Sequence, residues 1–184
     1  MSRLTPISHD AATGKAKDLL DAVKQAMGAT PNIFTAFANA PAAMEGYLNF
    51  NGALSTGTLD PQLREKIALT TAALNKCQYC ASAHTYLGEK AGIDGAEMTD
   101  NLSGRSSDSK TEAALIFARK IIEYRGQISD ADIQAVRDAG YGTEEIVEIL
   151  AHVALNTFTN YFNEVFKVEI DFPVVDLVQK PDAA

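Results

Sequence analysis

The sequence is poor in basic residues, in cysteine and in long apolar runs, and each shortage removes a class of function. It sets only 16 Lys and Arg against 24 Asp and Glu, a formal net charge of −8. A face that grips nucleic acid or an anionic membrane needs a basic excess, so neither is expected as a partner. No apolar run approaches the roughly 20 residues that span a bilayer. Met1-Ser2-Arg3 leads into polar sequence rather than a secretory signal, so a cytoplasmic location is the default expectation. No stretch alternates apolar and polar residues over several strands, which leaves an all-α class. The 2 cysteines both fall in one C-x-x-C, Cys77-Gln78-Tyr79-Cys80. In a reducing compartment that spacing points to redox or metal chemistry rather than a structural staple. A c-type haem site needs histidine directly after the second cysteine, and Ala81 stands there. A thioredoxin-type site follows a strand, and here the preceding pattern is helical.

What is present concentrates between Asp60 and Gly92. Asp60 before Pro61 is a helix start, a side-chain acceptor followed by a residue with no N–H to satisfy. Leu63, Ile67 and Leu74 recur at helical spacing around Glu65, until Asn75 and Lys76 break the pattern. Cys77 then opens a second helix that Gly92 ends as its C′ residue. On that helix Cys77, Cys80 and His84 are spaced i, i+3, i+7 and share one face. The unpaired N–H groups and dipole of a helix start favour a thiolate, so at least one cysteine is expected to have a lowered pKa. An imidazole one turn beyond Cys80 is placed to exchange its proton. Glu65 reaches the pair only if the two helices pack closely.

The rest of the chain reads as helices around this unit. The chain has 184 residues and is 46% hydrophobic, enough for one sizeable core, and a single domain over 1–184 is expected. Residues 8–27 form a first amphipathic helix with Leu19, Leu20, Val23 and Met27 on its apolar side and Gly28 as its stop. A short helix runs through Ile33, Phe34 and Phe37, and a longer one through Met44, Tyr47, Leu48 and Leu54, with the aromatics as core or as the wall of a pocket, core being the favoured reading. Residues 93–108 are a polar connection, dense in serine and charge, and read as a loop. Ser109 with Glu112 forms a capping box ahead of Leu115, Ala118, Ile121 and Ile122. Ser129 with Asp132 opens a short helix through Ile133 and Val136. Thr143 caps the last long helix, whose apolar stripe is Ile146, Ile149, Leu150, Val153, Phe162 and Val165. His152 lies beside that stripe as a core or interface histidine, His9 is exposed, and Asn160 and Tyr161 either pack or line a site. The tail 168–184, with Pro173 and Pro181, lies extended across the protein or a neighbour.

Glu65, eleven intervening residues, Cys77-Gln78-Tyr79-Cys80, three residues and His84 together resemble the alkylhydroperoxidase AhpD group of the carboxymuconolactone decarboxylase superfamily, in its peroxidase-related branch. The segments TPNIFTAFANAP, REKIAL and ALNTFTNYFN are similar to that family's helices, so the resemblance covers most of residues 28–172. It implies an AhpD-like helical bundle and a thiol-dependent alkyl hydroperoxide reductase of antioxidant defence. It also implies that Cys80 is the peroxidatic residue, which becomes a sulfenic acid, and that Cys77 resolves it to a redox-active disulfide. Glu65 and His84 are then the proton relay. No cofactor or metal is implied. The implied partners are a small hydroperoxide, a thiol or dithiol reductant, in the AhpD branch a lipoylated protein, and further copies of the chain as a dimer, trimer or hexamer. AhpD proteins carry a histidine just before the second cysteine, and here that place is Tyr79, a relay or pocket residue of poorer proton-shuttling power. Slower peroxidase turnover, or a different substrate or reductant, is therefore expected.

Two further readings of the same residues stay open. One is a protein disulfide reductase or a redox sensor built on the cysteine pair. The other is a small zinc-binding protein using Cys77, Cys80, His84 and Glu65, although three ligands from one helical face close a tetrahedron awkwardly.

Overall fold

The computed structural model describes residues 2–177, and the regular structure among them is all helix. In chain order the elements are α1 (Gly14–Met27), α2 (Asn32–Phe37), α3 (Pro41–Ser55), α4 (Pro61–Leu74), α5 (Gln78–Lys90), α6 (Gly95–Leu102), α7 (Ser109–Glu123), α8 (Asp130–Asp138) and α9 (Thr143–Phe166). The all-α expectation holds. Among the described residues no helix is long and apolar enough to cross a membrane.

The centre of the bundle is α4, which packs against α5, α6, α7 and α9. Its start is the one the sequence predicts: the Asp60 carboxylate accepts from the N–H groups of Gln62 and Leu63, and Pro61 occupies the first helical position. A helix enclosed on all sides has little need of an amphipathic pattern, and Leu63, Ile67, Ala68, Leu69, Thr70, Thr71 and Ala72 are all buried. Two main apolar clusters lie against it. One gathers Leu20, Val23, Phe34, Phe37 and Met44 from α1–α3 with Cys77, just before α5, and Tyr79 and Cys80 of α5. The other joins Leu63 and Ile67 to Leu115, Phe117 and Ile121 of α7, Val136 of α8 and Ile149 and Val153 of α9.

Several sequence expectations need correction. The first helix starts at Gly14 rather than residue 8, and Met27 is exposed. His9 is not free in solvent: it is paired with Asp21 at 2.6 Å. The polar connection 93–108 contains a helix, α6, capped by Asp94 and anchored by the buried Met98 and Asn101. Its serines are spent on Glu97, whose carboxylate takes the hydroxyls of Ser106 and Ser107. The cap of α7 is Asp108 rather than Ser109, and that of α9 is not Thr143 but Gly142, whose backbone N–H donates to the Glu145 carboxylate. The Ser129–Asp132 capping box on α8 forms as expected.

The last long helix departs most. Ile146, Ile149 and Val153 are buried as expected, but Leu150 and Val165 are exposed. The buried side of α9 is instead largely polar, with His152, Asn156, Thr159, Asn160 and Asn163 turned inward. Periodicity locates a helical face, but it does not say which face meets the core. After α9, residues 168–177 run extended across the protein, as expected for the tail; residues 178–184 lie outside the described residues.

Candidate active site

The joint between α4 and α5 sets the position of the cysteines. Asn75 ends α4, Lys76 adopts a left-handed conformation at φ 56°, and the N–H groups of Lys76 and Cys77 return to the carbonyls of Ala73 and Ala72. This is a Schellman closure, here made with lysine where glycine is usual. It delivers Cys77 as the N-cap of α5, where its sulfur accepts the Cys80 N–H at 3.3 Å. Gly92, at φ 82°, closes the far end of α5 as predicted.

Cys77 is fully buried, Cys80 is 3% exposed, and both are free thiols. Their environments differ. The Cys80 pKa is pulled below the ordinary thiol value by the Cys77 hydrogen bond, against the opposing effect of burial, with further help from His84 and the amides of Asn163 and Asn160. Cys77 is pushed well above it, first by that same hydrogen bond and then by burial. The pair therefore holds its charge on Cys80, with Cys77 as the proton donor. Asn163 Nδ2 donates directly to Cys80 Sγ at 3.1 Å.

Helices α4 and α5 do pack closely enough to unite Glu65 with His84, whose Nδ1 lies 2.8 Å from Glu65 Oε2. Both side chains keep a limited opening to solvent, at 22% and 23% exposure. Burial pulls the His84 pKa down, but the Glu65 carboxylate outweighs it and the net shift is upward. A protonated His84 beside a Cys80 thiolate is thus a stable arrangement.

Tyr79 is placed for a different task from the one expected. Its hydroxyl donates to Asp171 at 2.8 Å and accepts the Ile33 N–H, and its ring meets Phe172 edge-on. Ser82 Oγ accepts the Val175 N–H one turn further along α5. Burial and Asp171 both push the phenol pKa up. Tyr79 is a clasp for the C-terminal segment, and its oxygen is already committed at both ends.

Sequence reasoning passed over Asn156 and Asn163, left Tyr47 between core and pocket wall with core favoured, and left Asn160 undecided. The signal was available: Asn156, Asn160 and Asn163 recur at helical spacing within a helix whose other residues are largely apolar. Tyr47 lines an apolar pocket of about 260 Å³ together with Gly46, Phe50, Leu155 and Phe158. Burial, then the charges of Cys80 and Glu65, raise its pKa. His152 is buried with its Nε2 unpartnered, and burial followed by the Arg64 charge lowers its pKa to about 4. Among the described residues no three His, Cys, Asp or Glu side chains converge to hold a metal ion.

Fold and site define an all-α protein that sets a buried cysteine pair at a helix start against a Glu–His pair from the neighbouring helix. The sequence profile of the carboxymuconolactone decarboxylase family matches residues 41–124, which hold all four of these residues. The fold matches the crystal structure of an alkylhydroperoxidase AhpD core, a peroxidase-related protein from Ralstonia eutropha JMP134. That match has a TM-score of 0.84 and 23% identity over 92% of each chain. A peroxidase-related protein from Silicibacter sp. TM1040 matches at 0.80 and 21% identity over 91% of each chain. The debrominase Bmp8, solved with 2,3,4-tribromopyrrole, matches at 0.78 and 18% identity over 93% of this chain and 94% of its own. No curated protein matches the sequence. The family profile thus covers the central part of the chain, and the fold is that of the AhpD-like structures.

Proposed function

We propose that the protein is a thiol-dependent reductase of organic hydroperoxides, with Cys80 as nucleophile, Cys77 as resolving thiol and the Glu65–His84 pair as proton relay. The observation that carries this is the unequal setting of the two sulfurs. One sits among groups that favour its anion, and the other is held as the thiol that hydrogen-bonds to it. The Cys80 thiolate attacks the terminal oxygen of ROOH, so that an S–O bond forms as the O–O bond breaks. The sulfur is oxidised to a sulfenic acid, and the departing alkoxide takes a proton from His84 and leaves as ROH. Cys77 then attacks the Cys80 sulfur, water departs, and a disulfide forms. An external dithiol, such as that of a lipoylated protein, returns both cysteines to the reduced state.

The chain works as a single domain in a cytoplasmic, dithiol-supplied setting, and as a homo-oligomer. The oligomer rests on the outer face of α9, where Val147, Leu150, Phe158, Tyr161 and Val165 are all at least 44% exposed. Near-complete burial of both sulfurs speaks against a protein disulfide as the substrate. A second reading, thiol-dependent removal of bromine from a small aromatic, is favoured by the fold likeness to Bmp8 and by the apolar pocket that Tyr47 lines.

The test is a free-thiol count on reduced protein before and after one equivalent of an organic hydroperoxide. Rapid loss of both thiols, abolished in Cys80→Ser and slowed in Glu65→Gln and His84→Gln, supports the peroxidase. Thiols that persist for hours overturn it. The same assay with 2,3,4-tribromopyrrole and a dithiol, followed by bromide release, decides the second reading.

A further inference from the structure

The inner face of α9 runs against ordinary packing. Asn160 is fully buried and Asn163 is 2% exposed, yet each leaves one polar atom without a partner. Asn160 is fixed by its neighbour: Asn75 Nδ2 donates to Asn160 Oδ1 at 2.9 Å, which leaves the Asn160 amide hydrogens as the free end. That end is buried with no acceptor at hydrogen-bond distance, yet it lies near enough to the Cys80 sulfur to favour its thiolate. Asn163 presents the complementary case, with its Nδ2 on Cys80 Sγ and its Oδ1 free. A free amide donor and a free amide acceptor thus flank one nucleophilic sulfur inside a closed core, where orphaned polar atoms are costly.

We propose that these two asparagines are catalytic residues of the thiol site: Asn163 holds the Cys80 sulfur as an anion, and the free amide hydrogens of Asn160 receive the oxygen that departs during attack. The Asn160 role rests on the hydroperoxide reading above, whereas the Asn163 role stands on its contact with the sulfur. The free Asn163 Oδ1 is an acceptor for the hydroperoxide O–H, which orients the terminal oxygen toward the sulfur. Asn160 then meets negative charge as it develops on the RO oxygen, ahead of proton delivery from His84. A leucine at either position would fill the space and remove the orphaned atom, and at position 163 it would also leave the sulfur without its donor. The titratable groups that face Cys80 are Cys77 at the cap of α5, Tyr79 and His84 on α5, Tyr47 on α3, Glu65 on α4 through His84, and Glu164 on α9 through Cys77. All remain in place in the variants below.

The experiment compares two reactions of the same sulfur in fully reduced protein. Iodoacetamide alkylation of Cys80, resolved from Cys77 by mass spectrometry across a pH series, reports the thiolate. Single-turnover oxidation by cumene hydroperoxide reports the thiolate together with the departing oxygen. Asn163→Leu is expected to raise the Cys80 alkylation midpoint by about one pH unit, roughly tenfold less thiolate below the midpoint. Asn163→Asp, which keeps the shape and adds a negative charge, raises it further and serves if the leucine variant does not fold. Asn160→Leu, or Asn160→Ala should that variant not fold, is expected to shift the midpoint less, yet to slow oxidation by about tenfold or more relative to alkylation. An unchanged midpoint in a folded Asn163 variant overturns its role. Equal slowing of both reactions by Asn160→Leu overturns the other. If wild type is not oxidised by the hydroperoxide at all, the peroxidase reading and the Asn160 role fall together, while the Asn163 midpoint is still decided by alkylation.

Discussion

The two apolar clusters on either side of α4 are built to different ends. The α7–α8–α9 cluster, around Leu115, Phe117, Ile121, Val136 and Ile149, consists of aliphatic and aromatic side chains. The α1–α3–α5 cluster encloses both cysteines and abuts the inner face of α9, which carries three unpartnered buried polar atoms on His152, Asn160 and Asn163. The first follows the rule that burial removes apolar surface from water. The second gives up some of that gain to hold a sulfur of lowered pKa and the Asn163 amide that donates to it in a low-dielectric setting, where each hydrogen bond acts more strongly. Stability and chemistry are thus divided between two regions that share one helix.

The most severe way to separate them is to remove the nucleophile. Cys80→Ser is expected to lower hydroperoxide consumption by at least about 10³-fold while the melting temperature stays close to that of wild type, measured by peroxide assay and calorimetry. Glu65→Gln comes next, with a loss of about 10²-fold in the same assay, because His84 loses the carboxylate that keeps it protonated. The opposite cluster gives the mirror result. Leu115→Ala should cost about 3 kcal/mol in urea unfolding and leave the Cys80 alkylation midpoint unmoved, since Leu115 is fully buried. A shifted midpoint there would show that the two regions are coupled through α4.

His152 sharpens the contrast by pH. Burial, then the Arg64 charge, lowers its folded pKa from the ordinary 6.5 to about 4. The unfolded chain therefore binds the proton first, and the stability contribution, complete above pH 6.5, is lost as pH falls toward 4. Wild type should lose up to about 2 kcal/mol across that window, and His152→Gln should flatten the loss, as read from urea midpoints at pH 7 and pH 4.5. The smallest effect is expected at Tyr79. Tyr79→Phe removes the bond to Asp171 and should cost about 1 kcal/mol, seen as faster proteolysis of the C-terminal segment. Tyr79→His restores an imidazole before the second cysteine but gives up the same clasp. A raised peroxide rate in that variant would show that the clasp and the chemistry are independent.

Much of this was legible in the residues. Asp60-Pro61 announces the start of α4, Gly92 the end of α5, and the spacing of Cys77, Cys80 and His84 their common face, because caps and periodicity are local properties of the chain. The α6 helix was hidden because its polar residues, Glu97 and Asn101 among them, look like loop composition until their hydrogen bonds to Ser106 and Arg105 are seen. The α7 and α9 caps were misplaced by one residue, since Asp, Ser, Gly and Thr are all acceptable at that position.

Chemistry at the level of residue type is thus written in the chain: two thiols three apart, an imidazole one turn on, and a carboxylate on the preceding helix. The amides that surround the sulfur are not, because Asn163 lies 83 positions from Cys80 and helical periodicity cannot say which side of α9 turns inward. The same holds for Tyr79, which resembles a relay position in sequence and becomes a clasp only when Asp171, 92 positions away, arrives beside it. Local patterns depend on neighbours along the backbone. The sign of a buried face, the partner of a buried hydroxyl and the charge of a buried sulfur depend on neighbours in space, and those are set only when the helices pack.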